Sequence, residues 1–201
     1  MRGAAALFLI ALLGACQPAA LDGNSGSARP SATSPAQGRL TTTLQALVAG
    51  YTFEATVSLE GNVATRASGR WLNGAGEFAI EAQGGVVIYR TVPPKAWVHE
   101  NDSGWIALDS GSPLGNPIDA LLKPTTLATV GGQGDAMEIR ATYPAAAFGL
   151  SGDPVAVDLT LGADGSVTAT YRTATPAGEA VSETLMTPAA NLEPVTAPSA
   201  G

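Results

Sequence analysis

Residues 51–60, YTFEATVSLE, decide the fold. Tyr51, Phe53, Ala55, Val57 and Leu59 alternate with Thr52, Glu54, Thr56, Ser58 and Glu60. A period of two means a strand with one face on a core and the other in water. Glu60-Gly61-Asn62 follows as a hairpin turn. The spacing then predicts strands over 65–72 and 76–83, separated by Asn73-Gly74, a type I′ signal. Further strands are predicted over 86–92 and 95–100, flanking Pro93-Pro94, and over 103–108 after the polar turn Asn101-Asp102. Connections this brief are too short for parallel crossovers, so the sheet is an antiparallel meander.

Working outward, residues 39–50 place Leu40, Leu44, Leu47 and Val48 at helical spacing, with Gly50 as the stop. Thr41, Thr42 and Thr43 are weak helix formers, so packing must hold this helix. Residues 117–122 predict a short helix and 125–130 another turn or two, separated by Pro124. Pro144 opens a helical turn over 144–148. Strands resume over 136–143, 155–161, 167–174 and 180–186, with a hairpin turn at Ala163-Asp164-Gly165. The expectation is an α+β chain of about nine antiparallel strands, one N-terminal helix and short mid-chain helices.

The N-terminus carries an address. Arg2 precedes an apolar run over 4–13, ending in Leu13-Gly14-Ala15-Cys16. This run resembles the export signal and lipobox of bacterial lipoproteins, in which the cysteine is acylated and becomes the new N-terminus. It is too short to span about 30 Å of hydrocarbon, which takes roughly 20 residues. Cys16 is the only cysteine, so it has no disulfide partner in the chain. The expected organisation is a signal peptide over 1–15, a tether over 16–38, a folded domain over 39–187 and a tail over 188–201 running along the domain surface. The tether is rich in Gly, Ser, Pro, Ala and Thr, a composition that cannot bury enough apolar surface to offset its ordering entropy. The expected location is the extracytoplasmic face of a cell membrane, held through Cys16.

Composition excludes some partners. The net charge is −7, and −8 once Arg2 is removed. That opposes binding to nucleic acid or anionic lipid surfaces through charge. Catalysis finds little support. His99 is the only histidine, which with the sole cysteine assigned to acylation leaves no metal cluster and no expected cofactor. No nucleophile elbow is present, and Gly84-Gly85 and Gly131-Gly132 lack the Lys and Ser/Thr of a phosphate loop. Glu54, Glu77 and Glu81 alternate on strands as solvated outer-face carboxylates do. No enzymatic activity is expected. His99 reads as a half-exposed strand position or as a pH-sensitive latch near a cavity mouth. Trp97 and Trp105 read as packed against each other or as rimming an opening.

In order along the chain, YTFEATVSLEG, YRTVPPKAWVHENDSGWIALD, GNPIDALL, PVAVDLTLGADGSVTATYRT and PVTAP resemble the LppX/LprG-type lipoproteins of the actinobacterial envelope. These are architectural relatives of the LolA-type lipoprotein carriers. The resemblance covers residues 39–198. It implies a curved antiparallel β half-barrel with helices across its concave side, holding an acylated lipid or other hydrophobic ligand between sheet and helices. A carrier of this kind needs an apolar cavity that stays open behind a rigid wall. Candidate wall positions are Phe53, Val57, Leu59, Phe78, Ile80, Val86, Ile88, Ile106 and Met137. Periodicity alone does not separate such a wall from a plain core packed on the helix. The second reading is therefore a structural lipoprotein with a solid core that binds another envelope protein.

Overall fold

The structure, a computed structural model, describes residues 34–100, 103–108, 116–148 and 150–199. The expected signal peptide, Cys16 and the tether up to residue 33 lie outside the described residues, as do Asn101 and Asp102.

The chain forms one antiparallel sheet of eleven strands in the order β6-β5-β4-β3-β2-β1-β11-β10-β9-β8-β7. A first meander comprises β1 (Tyr51–Leu59), β2 (Asn62–Leu72), β3 (Ala75–Ala82), β4 (Gly85–Val92), β5 (Lys95–Glu100) and β6 (Ile106–Ala107). A second comprises β7 (Thr126–Gly131), β8 (Met137–Tyr143), β9 (Val155–Leu161), β10 (Val167–Thr175) and β11 (Gly178–Pro188). The meanders join where β11 pairs β1, from Tyr51 with Pro188 to Leu59 with Ala180. The sheet does not close into a barrel, and β6 and β7 are its edges. The two hairpin turns flanking β2 form as expected: Glu60 and Gly61, then Asn73 and Gly74, all have positive φ, as type I′ turns require.

Helix α1 (Pro35–Val48) begins earlier than residue 39. Ser34 caps it by accepting from the Gln37 amide at 3.2 Å, and Pro35 takes the first helical position, where its missing N–H costs nothing. Ala36, Leu40, Thr43, Leu44 and Leu47 form its buried stripe, while Val48 is exposed. Against expectation, residues 126–131 are strand β7 rather than a helical turn. Their β-branched threonines and valine suit a pleated surface, and pairing with β8 supplies the ladder that a two-turn helix would lack. That strand is the one member of the sheet not among the strand segments read from the sequence. Helix α2 (Pro117–Leu121) and a 3-10 turn (Ala145–Phe148) complete the described elements.

Helix α1 packs on α2, β7 and β11, so both helices lie on one face of the sheet, here the inner face. A single core cluster runs under them from Phe78 and Ile80 on β3 to Ile139 and Ala141 on β8. The chain beyond β11 follows the domain. Ala189 N–H donates to the Gly50 carbonyl at 3.1 Å, Val195 is buried, and the Thr196 carbonyl accepts from Arg90 Nη1 at 3.3 Å.

Candidate functional site

The inner wall is built in rows across the strands. One row runs Phe78, Gly69, Phe53, Met186, Val167, Leu161. The next runs Ile80, Ala67, Ala55, Thr184, Ala169, Leu159. A third runs Thr65, Val57, Ser182, Tyr171, Val157. Large side chains stand at the ends of the second row, and alanines and a threonine fill its middle. Where a side chain would obstruct, there is none: a Cβ on Gly69 would meet the Phe78 side chain and lie 2.5 Å from the Glu77 carbonyl oxygen. The Phe53 and Phe78 rings therefore reach each other across β2, with centroids 6.1 Å apart.

Strand β11 turns two hydroxyls inward. Its inward positions are Ala180, Ser182, Thr184 and Met186, while Val181 and Leu185 point to the opposite face, Leu185 being 39% exposed. Glu179 and Glu183 share the outward face with them, so each face of this strand mixes polar and apolar residues. The inward hydroxyls are costly because no described residue hydrogen-bonds them. Thr65 Oγ1, Ser182 Oγ, Thr184 Oγ1 and Tyr171 Oη are all buried without a hydrogen-bond partner, as are Thr91 Oγ1 and Trp71 Nε1. All six sit on the inner face. The first four surround Val57 and Ala55, and the row from Thr65 to Tyr171 crosses three strand spacings, about 14 Å. Burial pushes the Tyr171 phenol pKa up, opposed by the Ser182 hydroxyl, which is near but outside hydrogen-bond geometry.

Four of the nine expected wall residues, Phe53, Val57, Phe78 and Ile80, come together in the buried inner wall. Leu59 and Met137 pack against it, partly buried. Val86 and Ile88 do not belong to it. Phe78 pairs Tyr89 and Ile80 pairs Val87, so the odd-numbered residues of β4 face inward and Val86 and Ile88 face out. The run Val86-Val87-Ile88-Tyr89 has no alternation, so its parity was set only by its pairing partner. Ile106 has the inward parity through its pairing with Val98 but is 56% exposed on the edge strand.

His99, Trp97 and Trp105 also lie elsewhere than the inner wall. His99 pairs Ile88 on the outer face, and its ring centroid is 5.3 Å from that of Trp105. Arg90 lies over Trp105, its guanidinium carbon 4.5 Å from the ring centroid, and donates from Nε to Glu77 at 2.6 Å. The partners of Trp105 are thus His99 and Arg90, and His99 is no latch on the inner wall. Among the described residues, no three His, Cys, Asp or Glu side chains gather to hold a metal. No helix among them is long and apolar enough to cross a membrane.

A cavity of about 800 Å³ lies where β9 and β10 part. Their ladder ends at Tyr171 with Val157, although both strands run on. Beyond that pair, Val155 and Ala156 bond only to β8, and Arg172 to Thr175 only to β11. The cavity is lined by outer-face residues such as Arg140, Asp158 and Arg172 and by inner-face residues such as Ala145, Val155 and Tyr171. It is therefore a cleft lined from both faces of the sheet. At its outer rim Arg140 grips Asp158 bidentately, at 2.6 and 3.0 Å, and the hydrogen bond holds the Asp158 pKa below its ordinary value.

The chain matches no protein-family model and no curated protein. Its functional reading accordingly rests on the inner wall and the cavity.

Proposed function

We propose that this chain is a lipoprotein, anchored by an acylated Cys16 on the extracytoplasmic face of a membrane, that holds an acylated lipid or similar hydrophobic ligand between the sheet and its helices. The observation that carries this reading is the band of buried, unpartnered hydroxyls, Thr65, Ser182, Thr184 and Tyr171, set in an otherwise apolar wall. A buried hydroxyl without a partner costs about 1–3 kcal/mol. A core needing only to be solid would carry Val or Leu at these positions. A ligand with both hydrocarbon and ester or hydroxyl oxygens satisfies the hydroxyls and the wall together.

Curvature of the sheet belongs to the same reading. Ten strand steps at about 4.8 Å would make a flat sheet roughly 48 Å wide, while a 14-residue helix is only about 21 Å long. One core cluster that runs from β3 to β8 under so little helix favours a sheet curled around it. Gly69 and Gly76 suit a curled wall. A Cβ on Gly76 would strike the Trp71 ring, so Trp71 lies flat over the gap.

Native mass spectrometry of the full chain, extracted from membranes in mild detergent, tests the proposal. The expected spectrum contains the acylated polypeptide with one further lipid, released on denaturation. A native mass equal to the denatured mass, together with no transfer of pyrene-labelled phosphatidylglycerol between vesicles carrying the chain, overturns it. That outcome favours the solid-core lipoprotein that binds an envelope protein.

A further inference from the structure

The ladder between β9 and β10 stops at Tyr171 with Val157, two residues short of the start of β9 and four short of the end of β10. Val155 and Ala156 on one side and Arg172 and Thr173 on the other pair only with their outer neighbours, β8 and β11. Two strand edges are left open toward each other, with a cavity of about 800 Å³ between them. An exposed pair of unbonded edges is a liability in a sheet, and one that sheets normally cover or pair. Here the opening leads somewhere. Tyr171, the last residue of the ladder, lines the cavity and is only 3% exposed. It stacks on Phe148, centroids 5.4 Å apart, within the core cluster. Across β11 from Tyr171 stands Ser182, and beyond it Val57 and Thr65. The cavity thus has Tyr171, the start of the row of hydroxyls, in its lining.

We infer that the parting of β9 and β10 is the doorway through which the ligand passes between the outer face and the inner wall. This rests on the carrier reading above. An acyl chain enters past Ala145, Val155 and Tyr171, whose apolar surfaces receive it. Its ester oxygens then follow the hydroxyls of Tyr171 and Ser182 inward, exchanging water for protein partners step by step. The rim fits a polar headgroup, since Arg140 and Arg172 are both more than half exposed and each is already balanced by a carboxylate. Passage at this end requires no unfolding of α1, whose leucines are fully buried.

The test uses the full chain anchored in phosphatidylcholine vesicles, with pyrene-labelled phosphatidylglycerol as probe. Ala156→Trp and Ala174→Trp each fill the mouth from an exposed position that a large side chain can occupy without disturbing the core. Ser68→Trp, exposed on the outer face of β2, is the control. The expected result is loading and unloading slowed alike by about tenfold or more in both variants, with equilibrium occupancy unchanged and the control like wild type. Unchanged rates with normal occupancy overturn the doorway and leave the carrier standing. Lost occupancy in both variants also overturns it, because the cleft is then the binding site itself. A wild-type chain that takes up no probe overturns the carrier reading and the doorway together.

Discussion

Tyr51 Oη donates to Asn116 Oδ1 at 2.8 Å, joining the first residue of β1 to the cap of α2 across 65 positions of sequence. The same Asn116 oxygen accepts the Ile118 amide at 3.1 Å, so one side chain both caps the helix and fastens it to the sheet. At the other end of α2, Tyr143 Oη donates to the Leu121 carbonyl at 3.0 Å. A five-residue helix has no stability of its own. Two tyrosine hydroxyls from opposite halves of the sheet hold it over the wall.

Asn116→Ala removes the cap and leaves the buried Tyr51 hydroxyl without a partner. The expected loss is about 1–3 kcal/mol of unfolding free energy in denaturant titrations. Adding Tyr51→Phe to Asn116→Ala should recover part of that loss, since it deletes the orphaned group. A double variant as unstable as the sum of its singles would show that the two residues act independently.

Gly69→Ala places a methyl group against Phe78 and the Glu77 backbone. Backbone on one side and a wedged aromatic on the other leave little room to shift. The expected cost is about 1–3 kcal/mol, read as a lower melting temperature. Phe78→Leu added to Gly69→Ala should return some of it by freeing space beside the new methyl.

Thr184→Val swaps a buried unpartnered hydroxyl for a methyl of similar shape. Stripped of lipid, the variant should be as stable as wild type or more so, by up to about 1 kcal/mol. Its hold on an oxygen-bearing lipid should weaken. Calorimetry of the delipidated chain and lipid retention on dilution measure the two effects. A variant that loses stability and keeps its lipid would contradict the role given to this hydroxyl.

The tyrosines set an alkaline limit. Burial is the first cause of a raised pKa at Tyr51, Tyr143 and Tyr171, with the Asp119 charge adding to it at Tyr51. A group with a higher pKa in the folded state holds its proton there while the unfolded chain has released it. Stability is therefore whole below the unfolded value near 10 and falls as pH rises above it. Tyrosinate absorbance should show Tyr89, only partly buried and raised by burial and the Glu100 charge, ionising first. The other three should ionise together with loss of the near-ultraviolet circular dichroism. Four smooth, independent ionisations with the fold intact would refute this.

Most strands were legible because their signals are local. The alternation over 51–59, the paired positive-φ turns at Glu60-Gly61 and Asn73-Gly74, and the apolar stripe of α1 each depend on residues a few positions apart. The earlier start of α1 was also written in Ser34-Pro35, a cap followed by a proline suited to the first turn, but the surrounding Ser, Pro and Ala read equally as spacer. Strand β7 was not legible in the same way. Its six residues favour the strand only weakly, and its ladder with β8 makes the difference.

By itself the sequence determined the antiparallel meanders, the single apolar face of β1 and the helix that opens the domain, since these follow from short-range spacing and composition. Only the tertiary structure decided which face Val86 and Ile88 take, that Ser182 and Thr184 turn inward, and that β9 and β10 part beyond Tyr171. The reason is physical: a strand of mixed polarity has no preferred face until a neighbour fixes its register. Where two strands separate is settled by what each bonds on its far side, which no local pattern records.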